Sequence, residues 1–452
     1  MGLLLGSGST KPQYPYDMWY GVQGDFTSKD YKLKRVGNLD LHRTLPIQEK
    51  LRRFVENEDG SVKYYLGAND SRKKYSGAAA ILDSTDGNVM LEKPDYYLRV
   101  EIEGTKWLRA ISEYPLPGFI KMERKSVSPW YGSYDQELKK AVSGCWLTWS
   151  ENDIARDDDG YPIFTENATR FRGGNNDASR DGTYRSNLGM ARTNCSKATV
   201  RGWCNAAGNG IHHGAYRVYN EIAWLQRIEY ASMHCQDTYN ATLTDDGFHQ
   251  GGLGSGCSVD GNEWNTHNGY NPFVPCGVTA ILGNNTGKVS YTIKNWMNTS
   301  DKVVQVTSYR GLEVPYEYLW LLADDVLIWN KPDASVAYVC EDPTKFTSHS
   351  DNATTVPDGY IAISELPLAD CYPWTLAQSI NGYSFPDKSG GSPTTGICDQ
   401  LWTAYDDGGR GWYGALLSAS ATFGASAGFG CLYTGHRSSY SYANLGFRLC
   451  RG

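Results

Sequence analysis

No stretch of this sequence is apolar for long enough to cross a bilayer as a helix. The opening residues, Met1 and Gly2 followed by Leu3, Leu4 and Leu5 and then Gly-Ser-Gly-Ser, lack a hydrophobic signal core. The expectation is a chain made and assembled in a cytoplasm, with no membrane insertion. No long basic run occurs, and 43 Lys+Arg stand against 50 Asp+Glu for a formal net charge of −7. Nucleic acid is not an expected partner, because neutralising phosphates needs clustered Lys and Arg. Cysteine is missing from the first 144 residues, and the eleven from Cys145 to Cys450 form no C-x-x-C pair. That pattern indicates neither a zinc ribbon nor a disulfide scaffold and leaves reduced thiols packed as small apolar groups.

Phenylalanine is scarce too. There are 12 Phe against 32 Tyr and 14 Trp, with 49 Gly, about a tenth of the chain where ~7% is usual. Aromatics with a polar handle suit wet, half-exposed surfaces better than a deep core. Rigid amphipathic rings on adaptable Gly/Ser/Asn backbone are what an antibody paratope uses, because Tyr and Trp give contact area at low rotamer cost. The composition points to a binder before an enzyme.

Residues 1–54 read as an extended attachment segment ending in a short amphipathic helix, Pro46 to Phe54, with Ile47, Leu51 and Phe54 on one face. Residues 55–125 carry short alternating runs after Asp-Gly and Gly turns: Val62 to Leu66, Val89 to Leu91, Tyr96 to Ile102 and Trp107 to Ile111. This is a small β-rich domain. Residues 126–452 form the third region, loop-dominated, with a helix predicted at Tyr216 to Tyr239. There Ile222, Leu225, Ile228 and Cys235 share a face from which Glu221, Arg227 and Gln236 lie off. Cys145 to Ala155 fits helix and strand about equally. Strand-like runs follow at Val289 to Ile293 and Val303 to Thr307, and Tyr318 to Trp329 is the last clear apolar segment before the C-terminal region. No period of 20 to 50 residues repeats, and the mixture predicts an α+β fold.

Near the carboxyl end, Gly414, Ala415, Gly424, Ala425, Ala427, Gly428 and Gly430 make a small-residue frame. Trp412, Tyr413, Phe423, Phe429, Tyr433, His436, Arg437, Tyr440 and Tyr442 are interleaved with it and can project without crowding. A few buried aromatic or Arg anchors, at ~2 kcal/mol or more each, are enough to carry an interface.

Other constellations fall short. Phe385-Pro386-Asp387 and Lys331-Pro332-Asp333 read as turns rather than calcium-dependent sugar motifs, and Asp157-Asp158-Asp159-Gly160 lacks the alternating ligands of a calcium loop. His212 and His213 are adjacent, not spaced as zinc ligands. Gly252-Leu253-Gly254-Ser255-Gly256 misplaces the glycines of a nucleophile elbow, and no Lys-Ser/Thr follows to make a phosphate cradle. The N-x-S/T tripeptides at Asn167, Asn194, Asn240, Asn284, Asn298 and Asn352 read as an Asn/Thr-rich surface. No metal and no cofactor is expected.

The run Tyr216-Arg217-Val218-Tyr219-Asn220-Glu221-Ile222-Ala223-Trp224-Leu225 resembles the main helix of the C-type-lectin-like fold shared by formylglycine-generating-enzyme relatives and phage tropism determinants. Gly311 through Trp320 and Asp324 resembles that fold's G-x-x-W-x-x-x-D region, with a longer insertion. Gly409-Arg410-Gly411-Trp412 and Leu445-Gly446-Phe447-Arg448-Leu449 resemble its closing strands. The chain is most similar to the variable proteins of diversity-generating retroelements, with a rewritten cassette near 412–443. The N-terminal part, with Trp19-Tyr20-Gly21, Arg35-Val36-Gly37-Asn38 and Pro94-Asp95-Tyr96-Tyr97, resembles phage tail-fibre and tail-tip proteins.

The resemblance implies a phage tail receptor-binding protein, not an enzyme. It would sit in the virion as a homotrimer beside other tail proteins and adhere to a protein or glycan of the bacterial surface. Its implied ligand-binding residues are Trp412, Tyr413, Leu416, Ser418, Thr422, Phe423, Tyr433, His436, Arg437, Tyr440 and Tyr442. A variable protein displayed by the bacterium itself is the alternative. An oxidase of the formylglycine-generating kind is a poorer one, since Cys431 and Cys450 lack that family's close copper-binding pair.

Overall fold

The computed structural model describes residues 17–150, 154–181, 187–208, 210–349, 353–403 and 410–452. The expectations for residues 1–16, Asn352 and Gly409 lie outside the described residues.

The alternating runs of the first third pair as strands because each has one apolar face and a short turn to its neighbour. One antiparallel sheet runs in the order Lys34–Gly37, Tyr20–Asp25, Lys106–Ser112, Tyr96–Glu103, Ile120–Met122. A second has seven strands in the order Ile211–His212, Cys450–Arg451, Lys125–Val127, Val89–Lys93, Arg52–Glu56, Val62–Gly67, Asp70–Lys74. Both anticipated domain boundaries, after residues 54 and 125, fall within strands of this second sheet. One hydrophobic cluster extends from Tyr20 to Cys450.

The helix expected at Pro46 to Phe54 is absent. Gln48–Lys50 makes a single 3-10 turn, and Arg52–Glu56 is a strand. Pairing on both sides, to Val89–Lys93 and to Val62–Gly67, satisfies more backbone than one short helix could. It also places Arg53 in the core, where its guanidinium donates to the Gly311 and Thr279 carbonyls.

The main helix is Tyr216–Tyr230, shorter than expected, and stops where Ala231 turns left-handed (φ 49°) and donates its N–H to the Arg227 carbonyl. It is buried all round rather than amphipathic, so Glu221 and Arg227, read as off the apolar face, are in the interior. They are tolerated there because they are paired. Lys93 Nζ lies 2.6 Å from Glu221, and Arg227 Nη2 lies 4.0 Å from the buried carboxylate of Asp399. Its N-terminus has no cap from its own residues. Asp325, from the strand Trp320–Asn330, accepts from the N–H groups of Tyr216 (3.0 Å) and Arg217 (2.8 Å) instead.

That strand anchors the last sheet, ordered Ile361–Leu366, Ser335–Val339, Trp320–Asn330, Gly411–Leu417, Leu432–Tyr433, Leu401–Trp402, with Leu445–Gly446 pairing in parallel beside Trp320. Val289 to Ile293 and Val303 to Thr307 pair within a hairpin, Gly287–Trp296 with Ser300–Tyr309. Strand outweighs helix, 36% to 15%, in an α+β arrangement.

Candidate functional site

The carboxyl-terminal segment divides into an inward half and an outward half. Gly411–Leu417 is flanked on both edges, by Trp320–Asn330 on one side and Leu432–Tyr433 on the other, and every one of its residues is buried. Trp412 packs on Trp329 and Tyr338 over a satellite core that includes Leu327 and Phe346. Tyr413 is covered by the Arg437 guanidinium, 3.9 Å from its ring centre. Leu416 joins Phe54, Met90 and Trp320. Ser418, fully buried at a left-handed φ of 78°, accepts the Glu317 N–H at its carbonyl. These four expected ligand-binding residues are therefore structural. A strand with neighbours on both edges and cover on both faces has no side chain to spare for solvent.

Beyond Ser418 the chain leaves the sheet interior and the rings turn outward, except Phe429, which is buried against Tyr219, Tyr309 and Tyr316. Thr422, Ser439 and Tyr442 are exposed, and Phe423, Tyr433, His436, Arg437 and Tyr440 are half-buried. They form a continuous row. Phe423 meets Trp402 at 4.8 Å between ring centres, and Trp402 meets Tyr433 at 6.3 Å. Tyr433 is 4.7 Å from His436, which stacks on Tyr440; Tyr442 follows at 6.2 Å and Tyr270 at 6.0 Å beyond it. Trp320, almost wholly buried, is the base on which Phe423 and Tyr433 rest, at 5.1 and 5.5 Å.

Backbone hydrogen bonds hold the row in place. Thr434 N–H donates to the Trp402 carbonyl, Gly414 N–H to that of His436, and Tyr440 N–H to that of Arg437. Arg437 reaches inward to the Trp412 carbonyl at 3.0 Å, so it is a strut with its stem at the surface. Gly435 is required by close approach, since a Cβ there would lie 2.7 Å from the Tyr433 ring. Below the loop, the buried carboxylate of Asp399 accepts the Gly430 N–H at 2.7 Å and sits where a Cβ on Gly428 would fall, at 1.8 Å. Burial pushes Asp399 up to about 7, against the pull of Arg227 and of that N–H.

The structure thus brings together seven of the eleven expected residues, Thr422, Phe423, Tyr433, His436, Arg437, Tyr440 and Tyr442. It adds Trp402 and Tyr270, which sequence reasoning missed. Trp402 lies ten positions before Trp412 and enters the row through the parallel pairing of Leu401–Trp402 with Leu432–Tyr433. Tyr270 follows the helix Gly261–Asn268 and its Gly269 cap. The place of Tyr270 between Gly269 and Asn271 was the only signal for it, and Trp402, between Leu401 and Thr403, had none. Among the described residues, no three His, Cys, Asp or Glu side chains are grouped to hold a metal ion. Ten of the eleven thiols are buried, and Cys371 is half-buried.

Such a surface offers flat apolar faces edged with hydroxyl, imidazole and indole groups, suited to holding a partner by stacking and hydrogen bonding. No protein-family model matches the chain, and no curated protein matches it significantly in sequence.

Proposed function

We propose that this chain is a non-covalent adhesin, the receptor-binding protein of a phage tail. In this reading its carboxyl-terminal region is a C-type-lectin-like domain related to retroelement-diversified variable proteins, and it presents the outward half of the cassette to a molecule of the bacterial surface. The observation that carries the reading is the row from Phe423 to Tyr442. Six half-exposed or exposed rings, with Tyr270 a seventh beyond Tyr442, stand on a backbone held by the sheet beneath. The inner rings pack on the core, while the exposed Tyr442 can be exchanged without disturbing it, as a recognition surface under diversification needs. A homotrimer in the virion, joined to other tail proteins through the N-terminal region, would raise modest single-site affinity by avidity.

The test replaces Tyr433, Tyr440 and Tyr442 together by Ala and measures adsorption to host cells alongside the melting temperature. Lost adsorption at an unchanged melting temperature is the expected result. Full adsorption by the triple variant would sink the proposal. The coding DNA offers a second check: a near-copy of the 412–443 segment differing at adenines, beside a reverse transcriptase gene.

A further inference from the structure

Away from the aromatic row, a concavity of about 360 Å³ opens where the main helix ends. Its volume lies in the range of small-molecule sites. The floor is a buried ion pair. Glu229 accepts from Arg310 Nε at 2.6 Å and Nη2 at 3.0 Å, and from the Tyr309 hydroxyl at 3.0 Å. Arg310 holds this position on left-handed backbone (φ 44°), which an Arg adopts only when its surroundings enforce it. Tyr230 and His249 form one wall, their rings 5.7 Å apart.

The rest of the lining is rich in amides. Asn69 accepts from Asn285 Nδ2 at 3.1 Å, Asn284 accepts from the Arg53 N–H at 2.9 Å, and Asn240 accepts from the Thr242 N–H at 2.9 Å. Each of these three spends its oxygen within the protein. Their Nδ2 groups donate to no described residue, and all three asparagines line the same hollow as Tyr230 and His249.

The chemistry of the occupant follows by elimination. An anion is disfavoured because Arg310 is already shared between Glu229 and Glu49, the latter at 2.8 Å. A cation finds no free carboxylate, since Glu229 and Glu49 are both held by Arg310. An apolar ligand would strand the amides, and the lining has little aliphatic surface beyond Leu51 and two alanines. An uncharged ligand dense in hydroxyls satisfies all of these groups. We propose that this cavity binds one neutral sugar residue of a glycan, with the amides and Tyr230 as its hydrogen-bonding partners. The site does not depend on what the aromatic row binds.

Saturation-transfer NMR on the full chain, with glucose, galactose, mannose, rhamnose and N-acetylglucosamine offered singly at millimolar concentration, tests it. At least one sugar should receive saturation and shift the His249 ring resonances. Asn69→Ala with Asn240→Ala, both exposed positions, should weaken that sugar about tenfold or more without lowering the melting temperature. Tyr230→Phe, which removes a single hydroxyl, should weaken it to a smaller extent, and Tyr433→Ala in the aromatic row should leave it unchanged. Transfer to none of the five sugars, undiminished transfer in the amide variant, or loss in the Tyr433 variant would each overturn the assignment.

Discussion

His436 lies flat on Tyr440, with ring centres 3.6 Å apart and planes 17° from parallel. Tyr440 in turn runs within 12° of parallel to Tyr442. Three rings from one short loop are thus pre-stacked before any partner arrives, and their side-chain entropy is largely spent already. Preorganisation of this kind raises affinity without adding contacts.

At the outer end of this stack, with Tyr270 beyond it, Tyr442 is 42% exposed. Replacing it by Ala should change unfolding free energy by no more than about 0.5 kcal/mol, as surface positions do. Receptor binding should fall by about tenfold, the effect of losing one aromatic anchor of modest strength. Denaturant melts and adsorption measured on the same preparation check both.

Trp412 answers the opposite way. Its ring fills the satellite core beside Trp329 and Tyr338, so Trp412→Ala should cost about 3–5 kcal/mol. Any loss of binding should follow the fraction folded. A stable Trp412→Ala protein with binding selectively abolished would contradict the burial described above.

Gly428→Ala drives a methyl into the Asp399 carboxylate, which has little room to retreat beneath the loop. Destabilisation of about 1–3 kcal/mol is expected, as for other overpacked interiors. Gly424→Ala is the control, since no atom lies within 4 Å of its Cβ, although its φ of 49° adds some strain. Thermal unfolding should rank Gly428→Ala well below Gly424→Ala.

Asp399 also sets a pH dependence. Its folded pKa, about 7, lies above the usual carboxylate value because burial disfavours the charge. The native state therefore binds this proton more tightly than the unfolded chain. The group's contribution is complete below about pH 4 and declines as the pH rises to about 7. Asp399→Asn removes the decline, so its stability relative to the parent chain should be better at pH 8 than at pH 5. Urea titrations at the two values test the sign, and a difference in the other direction would refute it.

Much of this architecture was legible because it is local. Val89 to Leu91, Tyr96 to Ile102 and Trp107 to Ile111 alternate, and strands form there. The core of the main helix was equally plain from Ile222, Leu225 and Ile228. What was not legible depends on partners far away in sequence. Arg52–Glu56 becomes a strand only because Val89–Lys93 and Val62–Gly67 take up its edges. Glu221 can enter the interior because Lys93, from a distant strand, joins Arg217 in meeting it there. The same holds for the site. Gly and Ala next to Trp412 and Tyr413 read as open frame, yet those small residues are what lets two neighbouring strands and a covering loop close over the rings. Composition identified the aromatic segment but could not tell its inward half from its outward half.

The seven-stranded sheet interleaves residues 52–127 with 211–212 and 450–451. A ribosome delivers these pieces far apart in time, and Lys125–Val127 must wait more than three hundred residues for the neighbour that covers its open edge. Until then that edge is a template for any passing strand. Folding should accordingly be slow, and nascent chains stalled before residue 450 should be the species that chaperones hold and that aggregates recruit.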